Sequence, residues 1–260
     1  MIQSAKEAKR IVVKVGTSTL AYPTGLLNIQ RTERLVKVLS DLKNSGREII
    51  LVTSGAIGVG MGKAGLKQRP TDTPGKQACA AIGQCELMYC YDKYFAEYNH
   101  AVAQVLLTRD VIDDDARKEN VINTFSSLLH YGVVPIINEN DTVATEEIEF
   151  GDNDTLSAIV GTLVDADLLV IFSDIDGVYD QDPRKNPDAQ LLQRIPAITP
   201  EIQQLAGNRG STRGTGGMIT KFAAAEIALK GGFPTVITNG CHPERLYDLL
   251  EGKSVGTWIG

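Results

Sequence analysis

The sequence predicts an α/β fold: an open, mainly parallel central sheet covered by helices on both faces. Two observations predict it. Six short apolar runs rich in β-branched residues recur at 11–15, 49–52, 102–107, 133–137, 168–172 and 235–238. Continuous apolar runs of that length suit strands buried on both faces, as parallel strands under helices are. Longer amphipathic stretches separate them, and that alternation of strand and helix is the pattern of a doubly wound sheet.

Each element has its own local signal, from the N-terminus onward. Residues 1–10 are charged and lack the apolar stretch of a secretion signal. Strand 11–15 carries Lys14 late in its run and leads into Gly16, Thr17 and Ser18. Asn28 suits the N-cap of a helix running to Asn44, with Ile29, Leu35, Val36, Leu39 and Leu42 on one side and Gly46 beyond its end. Strand 49–52 runs into Thr53, Ser54, Gly55 and Ala56, then into a glycine-rich stretch expected to be a loop. There Gly60, Gly62 and Gly65 match GxGxxG formally. The match comes after a turn and lacks an acidic residue closing a βαβ unit, so it carries no dinucleotide assignment. Further helices are expected at 76–98, 116–130, 154–163, 217–230 and 243–250. The first of these has apolar residues on more sides than one buried stripe needs, which implies deep burial or a subunit contact. Two stretches break the rhythm. Residues 142–150 are polar and acidic and read as a loop or hairpin, while 180–200 hold four prolines and an alternating segment suited to a small hairpin.

Composition narrows the function classes. With 260 residues, one core or two lobes sharing a sheet are both possible; 43% hydrophobic and 22% charged residues are ordinary for a globular protein. A net charge of −6 argues against unspecific nucleic-acid binding. No apolar run approaches the roughly 20 residues of a membrane helix, and a cytoplasmic location is expected. The four cysteines form no CxxC pair and the three histidines no metal-ligand spacing, so no protein-built metal site is expected.

The polar clusters all stand after strands. Lys14 and Gly16 close the first, Ser54 and Gly55 the second; Asn138, Glu139, Asn140 and Asp141 come after the fourth, and Ser173 and Asp174 after the fifth. In open parallel sheets, ligands bind beyond the C-terminal strand ends, so this coincidence favours one site over scattered solvated loops. Gly214, Thr215, Gly216, Gly217 and Met218 lead into a helix with Lys221 one turn inside. That arrangement is suited to cradling phosphate through free backbone N–H groups. Asp152 and Asp154 lack the further ligands of a calcium loop, so magnesium is expected to arrive on nucleotide phosphates. A phosphoryl-transfer enzyme with its parts spread along the chain is the function these residues suggest.

These motifs also carry a specific resemblance. Residues 14–20, 52–58, 137–141, 151–154, 176–184 and 214–221 resemble, in order, those of the amino acid kinase family. Within it they are most similar to the branch that phosphorylates the side-chain carboxylate of L-glutamate with ATP. The resemblance covers about residues 10–258 and implies one kinase domain, with an amino-acid lobe at about 1–150 and a nucleotide lobe at about 151–260. It implies that Lys14 and Lys221 neutralise the migrating phosphoryl group while Asp154 holds both. Ser54, Asp141 and Asn153 would grip glutamate, with Gly16 and Gly55 lending backbone contacts. Ser173 and Asp174, with Gly214 to Lys221, would bind ATP. It further implies feedback inhibition by L-proline, with residues 142–150 a candidate place for it, and a homodimer or homotetramer. The chain ends at Gly260, where the kinase domain would end, so the PUA-type domain of many bacterial members is not expected. Other branches, acting on acetylglutamate, aspartate or uridylate, remain as alternatives. So does a sensor that has lost catalysis. Asp141 favours an amino acid with a free ammonium group.

Overall fold

The computed structural model describes residues 4–143, 153–207 and 217–260. The chain forms two compact units, residues 15–150 and residues 1–14 with 151–260.

In the unit of residues 15–150, three strands run in the order β3–β4–β2, all parallel: β2 (Glu48–Val52), β3 (Val102–Leu107) and β4 (Val134–Glu139). Val52 pairs with Ile137, and Thr53 N–H donates to the Ile137 carbonyl at 2.8 Å, so the two strands end side by side. Nearly all of β2 and β4 is buried. Successive side chains point to opposite faces, so burial at every position means cover on both.

The helices of this unit are α1 (Thr17–Leu20), α2 (Ile29–Asn44), α3 (Ala56–Ala64), α4 (Thr73–Ala96), α5 (Arg109–Asp113) and α6 (Asp115–His130). Asn28 caps α2 as expected, its Oδ1 accepting from Arg31 N–H at 3.1 Å. Ile29 does not join the buried stripe and is exposed. At 3.6 residues per turn it lies roughly 90° from the centre of Leu35, Val36, Leu39 and Leu42. α4 starts three residues earlier than expected because Asp72 caps it, accepting from Gly75 N–H at 3.0 Å, with Pro74 in the first turn.

The glycine-rich stretch after β2 is helix α3, not a loop. Gly60 and Gly83 explain why glycine is needed there. A Cβ on Gly60 would lie 1.8 Å from the Cys79 carbonyl oxygen, and one on Gly83 1.8 Å from that of Ala56. The glycines allow α3 and α4 to pack backbone to backbone.

In the other unit, the order is β1–β5–β7–β8–β6: β1 (Arg10–Lys14), β5 (Leu168–Ser173), β6 (Arg194–Ile195), β7 (Thr235–Asn239) and β8 (Thr257–Ile259). β1, β5 and β7 are parallel; β8 runs antiparallel to β7. Its helices are α7 (Asn153–Leu163), α8 (Pro200–Gly207), α9 (Met218–Lys230) and α10 (Arg245–Leu250), and α7 packs on β1, β5 and α9. The small hairpin expected within 180–200 forms around a Tyr179–Leu191 bridge, with Leu192 N–H donating to Val178 and Asp180 N–H to Gln190. Residues 194–195 instead pair in parallel with β8. Most of 142–150 lies outside the described residues.

Candidate active site

Parallel pairing of β1 with β5 brings Lys14 and Ser173 to neighbouring ends. Lys14 is the last residue of β1, in register with Ile171 of β5, and Ser173 closes β5 two residues on. Lys14 is 4% exposed. α7 lays Asp154, its second residue, beneath the strand end, and α9 supplies Lys221 from its first turn. Lys14 Nζ stands 2.7 Å from Asp154 Oδ1, and Lys221 Nζ 2.9 Å from Asp154 Oδ2. Two ammonium groups 207 positions apart therefore converge on one fully buried carboxylate.

The electrostatics agree with that geometry. Burial alone would raise the Asp154 carboxyl, but Lys14 and Lys221 together hold it well below the usual carboxylate range. It is therefore ionised at any physiological pH. Together the three groups carry two positive charges and one negative. Charged groups this deep are costly unless paired, so the cluster is built to keep ammonium groups together in a dry place.

Thr220 adds a contact that sequence reasoning missed. Its hydroxyl donates to Asp154 Oδ2 at 3.0 Å and lies 2.8 Å from the Gly217 carbonyl. That ties the carboxylate to the start of α9. Nothing in the sequence sets Thr220 apart except its place beside Lys221.

Gly217 caps α9 in an extended conformation, φ −82° and ψ −171°, so the helix N-terminus opens directly beside this cluster. Gly214, Thr215 and Gly216, expected in the phosphate cradle, lie outside the described residues, as does Asp152. Asn153 is buried beside Asp154 at the start of α7. Ser173 is buried, and Asp174 is half exposed and paired with Arg184 at 2.6 Å.

The remaining predicted residues belong to the other unit. Gly16 caps α1, its carbonyl accepting from Thr19 and Leu20 N–H groups. Ser54 comes just after β2, and Gly55 turns the chain into α3 with φ +94°, a left-handed conformation that favours glycine. Asp141 stands in the turn after β4, half-buried. β4 continues two residues further than expected. Asn138 and Glu139 are strand residues, and Asn138 is buried with its amide donating to Gln84 Oε1 at 2.9 Å.

Buried lysines meeting at a helix N-terminus, on strand ends of a parallel sheet, define a class of phosphoryl-transfer proteins, and the comparisons with known proteins agree. The profile described as "Amino acid kinase family" matches residues 9–239, and the chain belongs to that family. Among curated relatives, glutamate 5-kinase from Clostridium perfringens is 55% identical over 99% of this chain and 97% of its own length. Glutamate 5-kinase from Listeria innocua is 54% identical over 99% and 95%. Among solved structures, UMP kinase from Ureaplasma parvum has a TM-score of 0.69 at 16% identity, covering 98% of this chain and 99% of its own. Carbamate kinase from Giardia lamblia, bound to AMP-PNP, has a TM-score of 0.67 at 19% identity with the same coverage. Those structures are similar in fold.

Proposed function

We infer that this chain is a kinase that transfers the γ-phosphoryl group of ATP to the side-chain carboxylate of L-glutamate, giving L-glutamyl 5-phosphate and ADP. Such a product is an acyl phosphate, and its formation is the first step of proline biosynthesis. The convergence of Lys14 and Lys221 on Asp154 carries the phosphoryl-transfer part of the inference. Relatives more than half identical over nearly the whole chain support glutamate as the acceptor.

The acceptor carboxylate is ionised at neutral pH and already nucleophilic, so the reaction needs no general base. What remains is alignment and neutralisation of charge as the phosphoryl group crosses. Lys14 and Lys221 place two cations beside its oxygens, and Asp154 with Thr220 fixes their positions. The N-terminus of α9 adds its N–H groups to the phosphate side. Ser173 and Asp174, with residues 214–218, hold the nucleotide. Ser54, Asp141 and Asn153 hold glutamate, Asp141 taking the α-ammonium group, and Gly16 and Gly55 lend backbone contacts. Mg2+ enters on the nucleotide phosphates. Inhibition by L-proline and assembly into a homodimer or homotetramer belong to the same proposal.

A coupled ADP-release assay with glutamate, aspartate, acetylglutamate and UMP tests it. Glutamate is expected to be turned over far faster than the others. Turnover of any other acceptor without glutamate would reject it.

A further inference from the structure

We propose that Gln84 and Tyr91, on the buried face of α4, are positioning residues that hold the two strand ends gripping the amino-acid substrate. The proposal rests on the glutamate assignment above. β2 leads through Thr53 to Ser54, and β4 leads through Asn140 to Asp141. α4 reaches both. The Tyr91 hydroxyl lies 2.8 Å from Thr53 Oγ1, and Gln84 Oε1 accepts from Asn138 Nδ2 at 2.9 Å. Asn138 Oδ1 in turn accepts from Glu139 N–H at 3.0 Å, which fixes the backbone entering the Asp141 turn. Positions 84 and 91 are seven apart, two helical turns, so both side chains leave α4 on one side. Between them Leu87 is buried as well. Gly83 brings the same helix onto the Ala56 carbonyl, directly after the Ser54–Gly55 turn.

Packing alone does not account for these side chains. Gln84 is 7% exposed, and its amide nitrogen has no hydrogen-bond partner among the described residues. A methionine would occupy that space without burying the unpartnered Gln84 amide nitrogen, and buried unsatisfied donors are uncommon. Tyr91 is fully buried, and burial pushes its phenol well above the ordinary range, so it remains a neutral hydroxyl. Both polar groups make sense if the orientation of Thr53 and Asn138 sets the placement of Ser54 and Asp141 beyond them.

Gln84→Met and Tyr91→Phe each keep the bulk and delete one of the hydrogen bonds. Steady-state kinetics, thermal melts and backbone hydrogen exchange on both variants test the proposal. The KM for glutamate should rise roughly 5- to 50-fold, the range given by one lost buried hydrogen bond. The KM for ATP should stay unchanged, and any fall in the melting temperature of Gln84→Met should be modest, since it removes one acceptor from the buried Asn138 amide. Exchange should quicken at 138–143 in Gln84→Met and at 53–56 in Tyr91→Phe. An unchanged glutamate KM overturns the proposal, as do matched rises in both KM values alongside a lower melting temperature. A parent chain that does not turn over glutamate would reject the function instead. The exchange pattern then still decides: no local quickening in either variant overturns the positioning role.

Discussion

Asp154 has to remain charged for Lys14 and Lys221 to remain neighbours, and its surroundings ensure it. Replacing it by asparagine leaves two buried ammonium groups facing a neutral amide. Breaking a buried pair from one side typically costs about 3 kcal/mol or more. Urea melts of Asp154→Asn should show a loss of that size near pH 7. The pH dependence has a definite sign. The folded-state carboxyl titrates below its unfolded value of about 3.9, so its contribution is complete above about pH 4 and is lost as pH falls further. The deficit of Asp154→Asn should therefore be constant from pH 8 to 5 and shrink only below about pH 4. A deficit that already shrinks between pH 7 and 5 would mean the two lysines do not dominate this carboxylate. Lys221 separates binding from chemistry. Lys221→Ala should lower kcat at least about a hundredfold, as loss of a charge-stabilising donor does, while calorimetry still detects glutamate binding. If binding and turnover vanished together, Lys221 would be a substrate anchor.

At the scale of elements, helix α3 shows where sequence pattern gives way to packing. Six strands and six helices were legible because apolar runs and caps act locally. Asn28, for example, caps α2 through its own side chain. α3 was not legible. Gly58, Gly60 and Gly62 lower its helix propensity, and the need for glycine comes from backbone distant in the chain: Cys79 of α4, nineteen residues on, faces Gly60, and Gly25 faces Gly62. The three-residue β8 was likewise invisible, since so short a strand carries no period and exists through its pairing with β7 and β6, while residues 194–195 fell in the segment expected as a hairpin and found β8 as their partner instead. In the site, the two lysines and Asp154 were legible as charged residues beside glycine turns. Thr220, Gln84 and Tyr91 were not, because a hydroxyl or amide inside an ordinary helix gains meaning only from its partner. The glycine contacts give a graded prediction. Gly60→Ala and Gly83→Ala place a methyl 1.8 Å from a carbonyl oxygen of the facing helix and should cost about 3 kcal/mol or more, since backbone cannot step aside as a side chain can. Gly217→Ala meets nothing within 4 Å among the described residues at an ordinary φ of −82° and should cost at most about 1 kcal/mol, the difference between glycine and alanine at an N-cap. Thermal melts of the three variants check the ranking, and a Gly83→Ala protein as stable as Gly217→Ala would refute backbone-to-backbone packing.

For the whole molecule, the net charge of −6 sets a problem that the site has to solve locally. ATP and glutamate are both anions and repel each other and, at long range, the protein. Screening at physiological salt leaves a reach of about 8 Å, so short-range cations inside the site decide binding more than the overall field does. Those cations belong to the unit of residues 1–14 and 151–260, whereas Ser54, Gly55 and Asp141 belong to residues 15–150. The proposed roles thus assign different parts of the chain to different ligands. Hydrogen exchange with one ligand at a time tests that division. ADP with magnesium should slow exchange in α7, at the end of β5 and in the first turns of α9, leaving 53–56 and 138–143 unaltered. Glutamate alone should slow 53–56 and 138–143, and within the other unit only the start of α7, where Asn153 stands. Each ligand at a hundred times its Kd should also raise global stability by about 2.7 kcal/mol, which distinguishes true binding without protection from no binding at all. If ADP instead protected 53–56 and 138–143, the substrate assignments of Ser54 and Asp141 would have to be exchanged for nucleotide contacts, and the acceptor would need another home.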